Sequence, residues 1–467
     1  MGRRKKVVVI GFLSLLCAGC AVGPNYKKPQ VPVPPAYRGL SAEQAGKADV
    51  DSFGDQKWWD AFQDETLRDL IQTALKQNYD VQIAATRILQ ARAQLGITRA
   101  DQLPSVEASA SSANERTPQG VGRPAIETST SRISLSLAWE LDFWGKFRRA
   151  SESARANLLA QEWARRQVIS SLVSDVASAY FELRELDLEL EISRQTLASR
   201  KNSLQLTQIL ADGGATSMLD VRQAEQLVFN AAASIPDLER RIEQQENFIS
   251  ILLGRNPQDI ARGRKLVDQP HALEVPSGLP SSLLKRRPDI LQAEQQLIAA
   301  SAQIGVAKAD YFPQISLTAA GGYQSSALTG LFAGPAGLWT LGAGAVQPVF
   351  EGGRIRNRVR FAEARTEEAK LTYQRTVQEA FREVSDSLVG YRKSQEFRIQ
   401  QEQLTHSAEE ATKLSNMRYK GGATSYLEVL DSDTRYFSAQ LSLAQAQLRE
   451  LQSLVQIYRS LGGGWQQ

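Results

Sequence analysis

From Arg132 to Phe143 the chain alternates strictly. Ile133, Leu135, Leu137, Trp139, Leu141 and Phe143 fall on one side, and Arg132, Ser134, Ser136, Ala138, Glu140 and Asp142 on the other. A period of two belongs to an extended strand with one apolar face, and it predicts β-structure at about 131–143. The segment at 314–323 repeats the pattern through Ile315, Leu317, Ala319 and Tyr323, and 338–350 and 105–113 carry it more faintly. Gly-, Pro- and Ser-rich stretches at 114–128 and 325–336 separate the members of each pair, as loops would.

Elsewhere the period is helical. Residues 146–212 hold neither Gly nor Pro, and 354–420 hold no Pro and only Gly390. Each run of 67 residues would make one α-helix of about 100 Å. In the first run Leu172, Val176, Ala179, Leu183, Leu186, Leu190, Ser193 and Leu197 step by fours and threes, the seam of a left-handed coiled pair. Both runs end at the same five residues, GGATS, at 213–217 and 421–425. Return helices are predicted at 218–235, with a continuation past Pro236, and at 426–461. The paired glycines suit helix C-caps with positive φ. Thr216, Ser217, Thr424 and Ser425 suit N-caps, with Asp220 or Glu428 in the first turn behind them. Amphipathic helical runs at 65–102 and 289–310 precede the strands and stop at Pro104 and Pro313.

The repeated turn belongs to a wider echo. GGATSMLDV and GGATSYLEV share seven of nine residues at a separation of 208, and 91–110 matches 300–319 at 209. Gly145-Lys146 answers Gly353-Arg354, and Leu253-Gly254 answers Leu461-Gly462. The period is far longer than the roughly 20–50 residues of a solenoid repeat. The chain therefore reads as a duplicated domain, 61–265 and 289–467, joined by a proline-bearing linker at 266–288 and preceded by an N-terminal segment at 20–60.

Hydrophobic content of 42% excludes a wholly disordered polymer, and no stretch after residue 20 is apolar enough for a membrane-spanning helix. Arg3, Arg4, Lys5 and Lys6 account for the whole excess of 55 basic over 51 acidic residues, so the charge implies no nucleic-acid partner. Those four residues open a leader: a basic start, the apolar run VVVIGFLSLL, then CAGC, the plan of a secretory signal peptide over 1–19. Its end resembles a bacterial lipoprotein signal, with Cys20 lipidated as the first mature residue (N-palmitoyl, S-diacylglycerol); Cys17 stands where that pattern carries Leu. Ordinary cleavage would leave Cys20 a plain thiol. Ala21, rather than aspartate, at the next position points to the outer membrane.

The strands have about the 9–11 residues that cross a bilayer. Phe143, Trp144, Tyr311, Phe312, Tyr323, Trp339 and Phe350 cluster near their ends, as in interfacial girdles. A soluble sandwich would explain any one strand. Four strands cannot close a transmembrane barrel, and open edges are not tolerated in lipid, so a membrane reading requires two or three copies to associate. An enzyme has little to stand on: His271 and His406 sit in no metal or nucleophile constellation, and no Lys follows GGATS as a phosphate loop would need. No cofactor or metal is expected. A periplasmic coiled-coil scaffold would explain the helices but not the strands.

With these features in place, the chain resembles an outer membrane factor of the TolC-like superfamily, of the lipoprotein type that serves resistance-nodulation-division efflux pumps (the OprM/NodT type). The matching motifs are CAVGPNYKKP from Cys20, WWDAFQD (58–64), RRPDILQAEQQL (286–297), ADYFPQISLTAAGGY (309–323), RYKGGATSYLEVLD (418–431) and LGGGW (461–465). The resemblance implies a mainly α protomer that gives four strands to a twelve-stranded outer-membrane barrel in a homotrimer and long helices to a tunnel through the periplasm. It implies an exit duct for drugs or other small toxic compounds, working with a periplasmic adaptor and an inner-membrane pump; type I protein secretion is the alternative. By position, Gly213, Gly214, Ala215, Thr216 and Ser217, and Gly421, Gly422, Ala423, Thr424 and Ser425, match the tips that meet the adaptor. Leu427 and Asp431 match the apolar and acidic rings of the periplasmic constriction.

Overall fold

The computed structural model describes residues 21–38, 52–55, 57, 64–118, 124–269, 278 and 280–465. The leader, Cys20, most of WWDAFQD and His271 lie outside the described residues. The elements run α1 (Glu65–Gln77), α2 (Tyr79–Ala100), β1 (Ser105–Thr117), β2 (Ile126–Leu141), α3 (Lys146–Asp212), α4 (Met218–Leu252), α5 (Pro280–Arg286), α6 (Pro288–Ala309), β3 (Gln314–Ser325), β4 (Gly337–Val346), α7 (Arg354–Lys420) and α8 (Tyr426–Ser460). Two compact units result, each drawing segments from both halves of the sequence.

The first unit comprises residues up to 30, 87–162 and 292–374 and holds the only sheet among the described residues. Its order is β1-β2-β3-β4, antiparallel throughout, and the β2–β3 ladder joins the two halves. Register sorts the side chains by face. Val106, Leu137, Ala319 and Leu341 stand in one row, and Ala108, Leu135, Gly321 and Trp339 in the next. The other face is mainly small and polar, with Glu107 opposite Ser136 and Ser109 opposite Ser134. Val106, Leu135, Trp339 and Leu341 on the apolar face are all exposed; the face is covered only locally, where Tyr323 packs against Phe332 and Trp139 donates to the Gln102 carbonyl.

The strand ends differ from those expected. β2 stops at Leu141 rather than Phe143 because the Asp142 carboxylate leaves the ladder and accepts from the N–H groups of Phe147 (3.2 Å) and Arg148 (2.9 Å), capping α3. β4 ends at Val346, short of Pro348, which has no N–H to give a ladder. β1 and β2 reach further into the loop, to Thr117 and Ile126. Residues 21–28 are pinned within the same unit. Val22 N–H donates to Trp144 (2.9 Å), buried Arg149 donates to the Val22 carbonyl and the Asn25 side chain, and Lys28 pairs with Glu294 at 2.7 Å. Gly23 has φ of 103°, and a Cβ there would lie 2.5 Å from the Cα of Gly305.

The second unit comprises residues 31–86, 163–291 and from 375 onward, and it holds both helical hairpins. The 67-residue runs are single helices, as expected. The run at 65–102 is two helices instead, because the Asn78 side chain accepts from Asp80 N–H (2.8 Å) and Val81 N–H (3.2 Å) and starts α2 afresh. α4 continues through Pro236 to Leu252; burial of Leu227, Val228, Ala231, Leu238 and Ile242 on either side outweighs the one lost N–H. The seam of α3 is buried through Leu186, Leu190 and Leu197 are half-buried, and one heptad position continues through Ser193 to Arg200 and Thr207, all buried.

Several quoted motifs prove to be joints of this unit. Arg287 donates to Asp289, to Glu383 at 2.7 Å and to the Ser460 carbonyl at 3.1 Å. Ser170 donates to Gly463 at 2.6 Å, and the Arg166 guanidinium lies over the rings of Trp163 and Trp465.

Candidate functional site

The two GGATS turns are built alike. Each long helix ends with Gly214 or Gly422 in the left-handed region, at φ of 73° and 70°. The N–H of the next residue reaches back five residues, Ala215 to Leu210 (2.8 Å) and Ala423 to Arg418 (2.9 Å), which is the Schellman closure. A Cβ on either glycine would meet nothing within 4 Å, so glycine is required there by backbone conformation and not by crowding.

The caps behind the turns differ. Ser217 and Asp220 form a reciprocal capping box at the start of α4, and Thr216 also bonds Asp220. Ser425 occupies the N-cap of α8 without a side-chain bond, contrary to expectation; Thr424 instead bonds Glu428. Gly213, Gly214, Ala215, Ser217, Gly421, Gly422, Ala423 and Ser425 are exposed, and Thr216 and Thr424 are half-buried. The two turns are tied together: Thr216 and Tyr419 hydroxyls lie 3.4 Å apart, and Ala224, Tyr426 and Val429 form a small core beneath them. Burial pushes the Tyr426 phenol up to about 12, helped by the nearby Asp433 charge.

Leu427 and Asp431 share one face of α8, and Leu427 is 58% exposed. Asp431 is also exposed and accepts from Arg435 at 2.8 Å, a pairing that the spacing of four on one helix face permits. Asp433, two residues on, turns inward to buried Arg200 at 2.7 Å. One aspartate therefore faces solvent and the other ties α8 to α3. Among the described residues no cluster of His, Cys, Asp and Glu could hold a metal ion.

Comparison with known proteins bears on this arrangement. The family model for "outer membrane efflux protein" matches residues 70–255 and 279–463. A toluene efflux pump outer membrane protein of Pseudomonas putida, TtgC, is 35% identical over 466 residues, covering 99% of this chain and 96% of the relative. The chain belongs to the outer membrane efflux protein family. The solved structure of the outer-membrane channel OprN superposes on this family member with a TM-score of 0.88 at 33% identity, covering 96% of this chain and all of that one. The open state of the Neisseria gonorrhoeae MtrE channel gives 0.87 at 29% identity, covering 96% of this chain and 99% of that one. This efflux protein is thus an outer membrane channel of the TolC/OprM type, the exit duct of a tripartite pump and not an enzyme.

Proposed function

We propose that three copies of this chain form a twelve-stranded barrel in the outer membrane and a helical tunnel in the periplasm, through which an inner-membrane pump of the resistance-nodulation-division class expels small apolar or amphipathic toxic compounds. The sheet carries this reading. One face is apolar and largely exposed in the protomer, the other small and polar, and among the described residues β1 and β4 each leave an unpaired edge. Lipid tolerates such edges only when further strands pair with them. The substrate class rests on relatives named for toluene, solvent and antibiotic efflux.

In the same proposal Cys20 carries a diacylglycerol and an acyl chain. Ala21, the next residue, lies against Gly145 where β2 gives way to α3, which would hold the lipid near the end of a membrane strand. The GGATS tips meet the helical hairpins of a periplasmic adaptor; their exposed, side-chain-poor turns permit close backbone approach. Threefold repetition would set Leu427 and Asp431 into an apolar and an acidic ring, a constriction at the tunnel's end.

The particle purified in detergent is expected to have the mass of three chains, and a soluble monomer without detergent overturns the barrel. The double variant Leu427→Ala, Asp431→Ala is expected to raise the resting conductance in planar bilayers. A resting conductance equal to that of the unaltered channel removes the constriction from these residues.

A further inference from the structure

Beside the tips, wholly within the second unit, a cavity of about 480 Å³ opens among α3, α4, α7 and α8. That volume lies within the range of small-molecule pockets. One wall is aromatic, built from Tyr419, Tyr426, Tyr436 and Phe437. At its side stands Arg200, 3% exposed. Its Nε donates to Asp433 at 2.7 Å, its Nη1 to the Leu227 carbonyl at 3.0 Å, and its Cζ lies 4.9 Å from the Phe437 ring centre. The remaining nitrogen, Nη2, is buried and meets no acceptor among the described residues.

That orphan donor sits where the seam of α3 would ordinarily carry an apolar side chain. Leu172, Ala179 and Leu186 fill the same heptad position further from the tip, and Ser193, Arg200 and Thr207 continue it as the cavity opens. A guanidinium in a core position weakens packing and calls for a full set of acceptors, and here one is missing. The charge around the cavity specifies what could supply it. Asp433 balances Arg200, which leaves exposed Lys420 as a further positive charge on the lining. A cation is therefore disfavoured. The aromatic wall favours a flat apolar body over a bare inorganic anion.

We propose that this cavity binds a small aromatic carboxylate, with the Arg200 guanidinium turning its buried Nη2 into the cavity to donate to a carboxylate oxygen and the ring against Tyr426, Tyr436 and Phe437. Because α3 belongs to the first hairpin and α7 and α8 to the second, the occupant bridges the two. The site rests on the cavity and the orphan donor and stands whether or not Leu427 and Asp431 form a constriction.

The test is equilibrium binding of 2-naphthoate, read by its fluorescence, to the full chain held in amphipol, with neutral 2-naphthol as the comparison. Saturable binding of one naphthoate per chain is expected, at least tenfold tighter than naphthol. Arg200→Gln should weaken naphthoate at least tenfold and leave naphthol unchanged. Lys420→Gln, at an exposed lining position that does not disturb the core, should weaken naphthoate severalfold and decides the matter if the Arg200 variant does not fold. Equal affinity for the two probes would reduce the cavity to an apolar trap and overturn the proposal. So would the absence of saturable binding, full naphthoate affinity in a folded Arg200→Gln, or, where that variant does not fold, full naphthoate affinity in Lys420→Gln.

Discussion

Asp64, the last residue of WWDAFQD, does the work of several. Its carboxylate is 1% exposed and accepts from the N–H groups of Thr66 and Leu67, capping α1, and from Tyr180, Arg264 N–H and Gln269, each of the last three at 3.0 Å. Three segments far apart in sequence thus converge on one side chain. Buried donors left without an acceptor cost about 1–3 kcal/mol each. Asp64→Ala is therefore expected to destabilise the protein by about 3 kcal/mol or more, seen as a lowered thermal midpoint by circular dichroism, and Asp64→Asn by less. An unchanged midpoint in Asp64→Ala would remove Asp64 from this role. Nothing local in the motif announces it, because the three further donors come from residues 116 to 205 positions away.

Among the elements, the packing of α3 on α4 and α8 places an acidic row inside the second unit. Glu185 is pushed up to about 8 by burial first, and then by the hydrogen bond and negative charge of Glu189. Glu182 on α3 adds to the upward shift and Arg241 on α4 opposes it; Arg241 and Gln445 of α8 both donate to Glu189. A carboxyl whose folded pKa is raised binds its proton more tightly in the folded chain than in the unfolded one. Its contribution is full below the ordinary value near 4.5 and is lost as pH rises through about 8. The thermal midpoint should accordingly fall between pH 5 and pH 8.5, and Glu185→Gln should flatten that slope. A slope equally steep in Glu185→Gln would assign the pH dependence to other groups. The helices themselves were readable from their Gly/Pro-free runs; the partners of their buried charges were not, because these sit on other helices.

At the scale of the whole molecule, the two faces of the sheet make opposite demands. Leu341, 76% exposed, stands on the apolar face, and its neighbour Thr340 on the other. If the apolar face of the proposed trimer meets lipid, Leu341→Lys should cost about 2–4 kcal/mol at the bilayer midplane and prevent assembly, read as loss of trimer mass in detergent. Thr340→Lys, facing the channel, should assemble and change only its conductance. Equal tolerance of both would contradict the membrane assignment. The alternation in β2 and β3 was plain from their sequence, whereas that in β1 was not, since SVEASASSA sets alanines against serines. Only pairing with β2 shows that Val106, Ala108 and Ala110 continue its apolar face.

The amino-acid sequence by itself determined the duplication, the two 67-residue helices, the tip turns and the four-strand count, because period, glycine and proline act within a few residues of where they stand. The tertiary structure alone decided which half supplies each strand's neighbour, that Asn78 divides a helical run, and that Asp142 leaves its strand to cap a helix. It also decided that Asp433 turns inward while Asp431 stays outside. Two aspartates two residues apart on a polar helix look alike in a sequence. They differ because α3 brings Arg200 to one and solvent meets the other, and a side chain's partner is set by what folds against it.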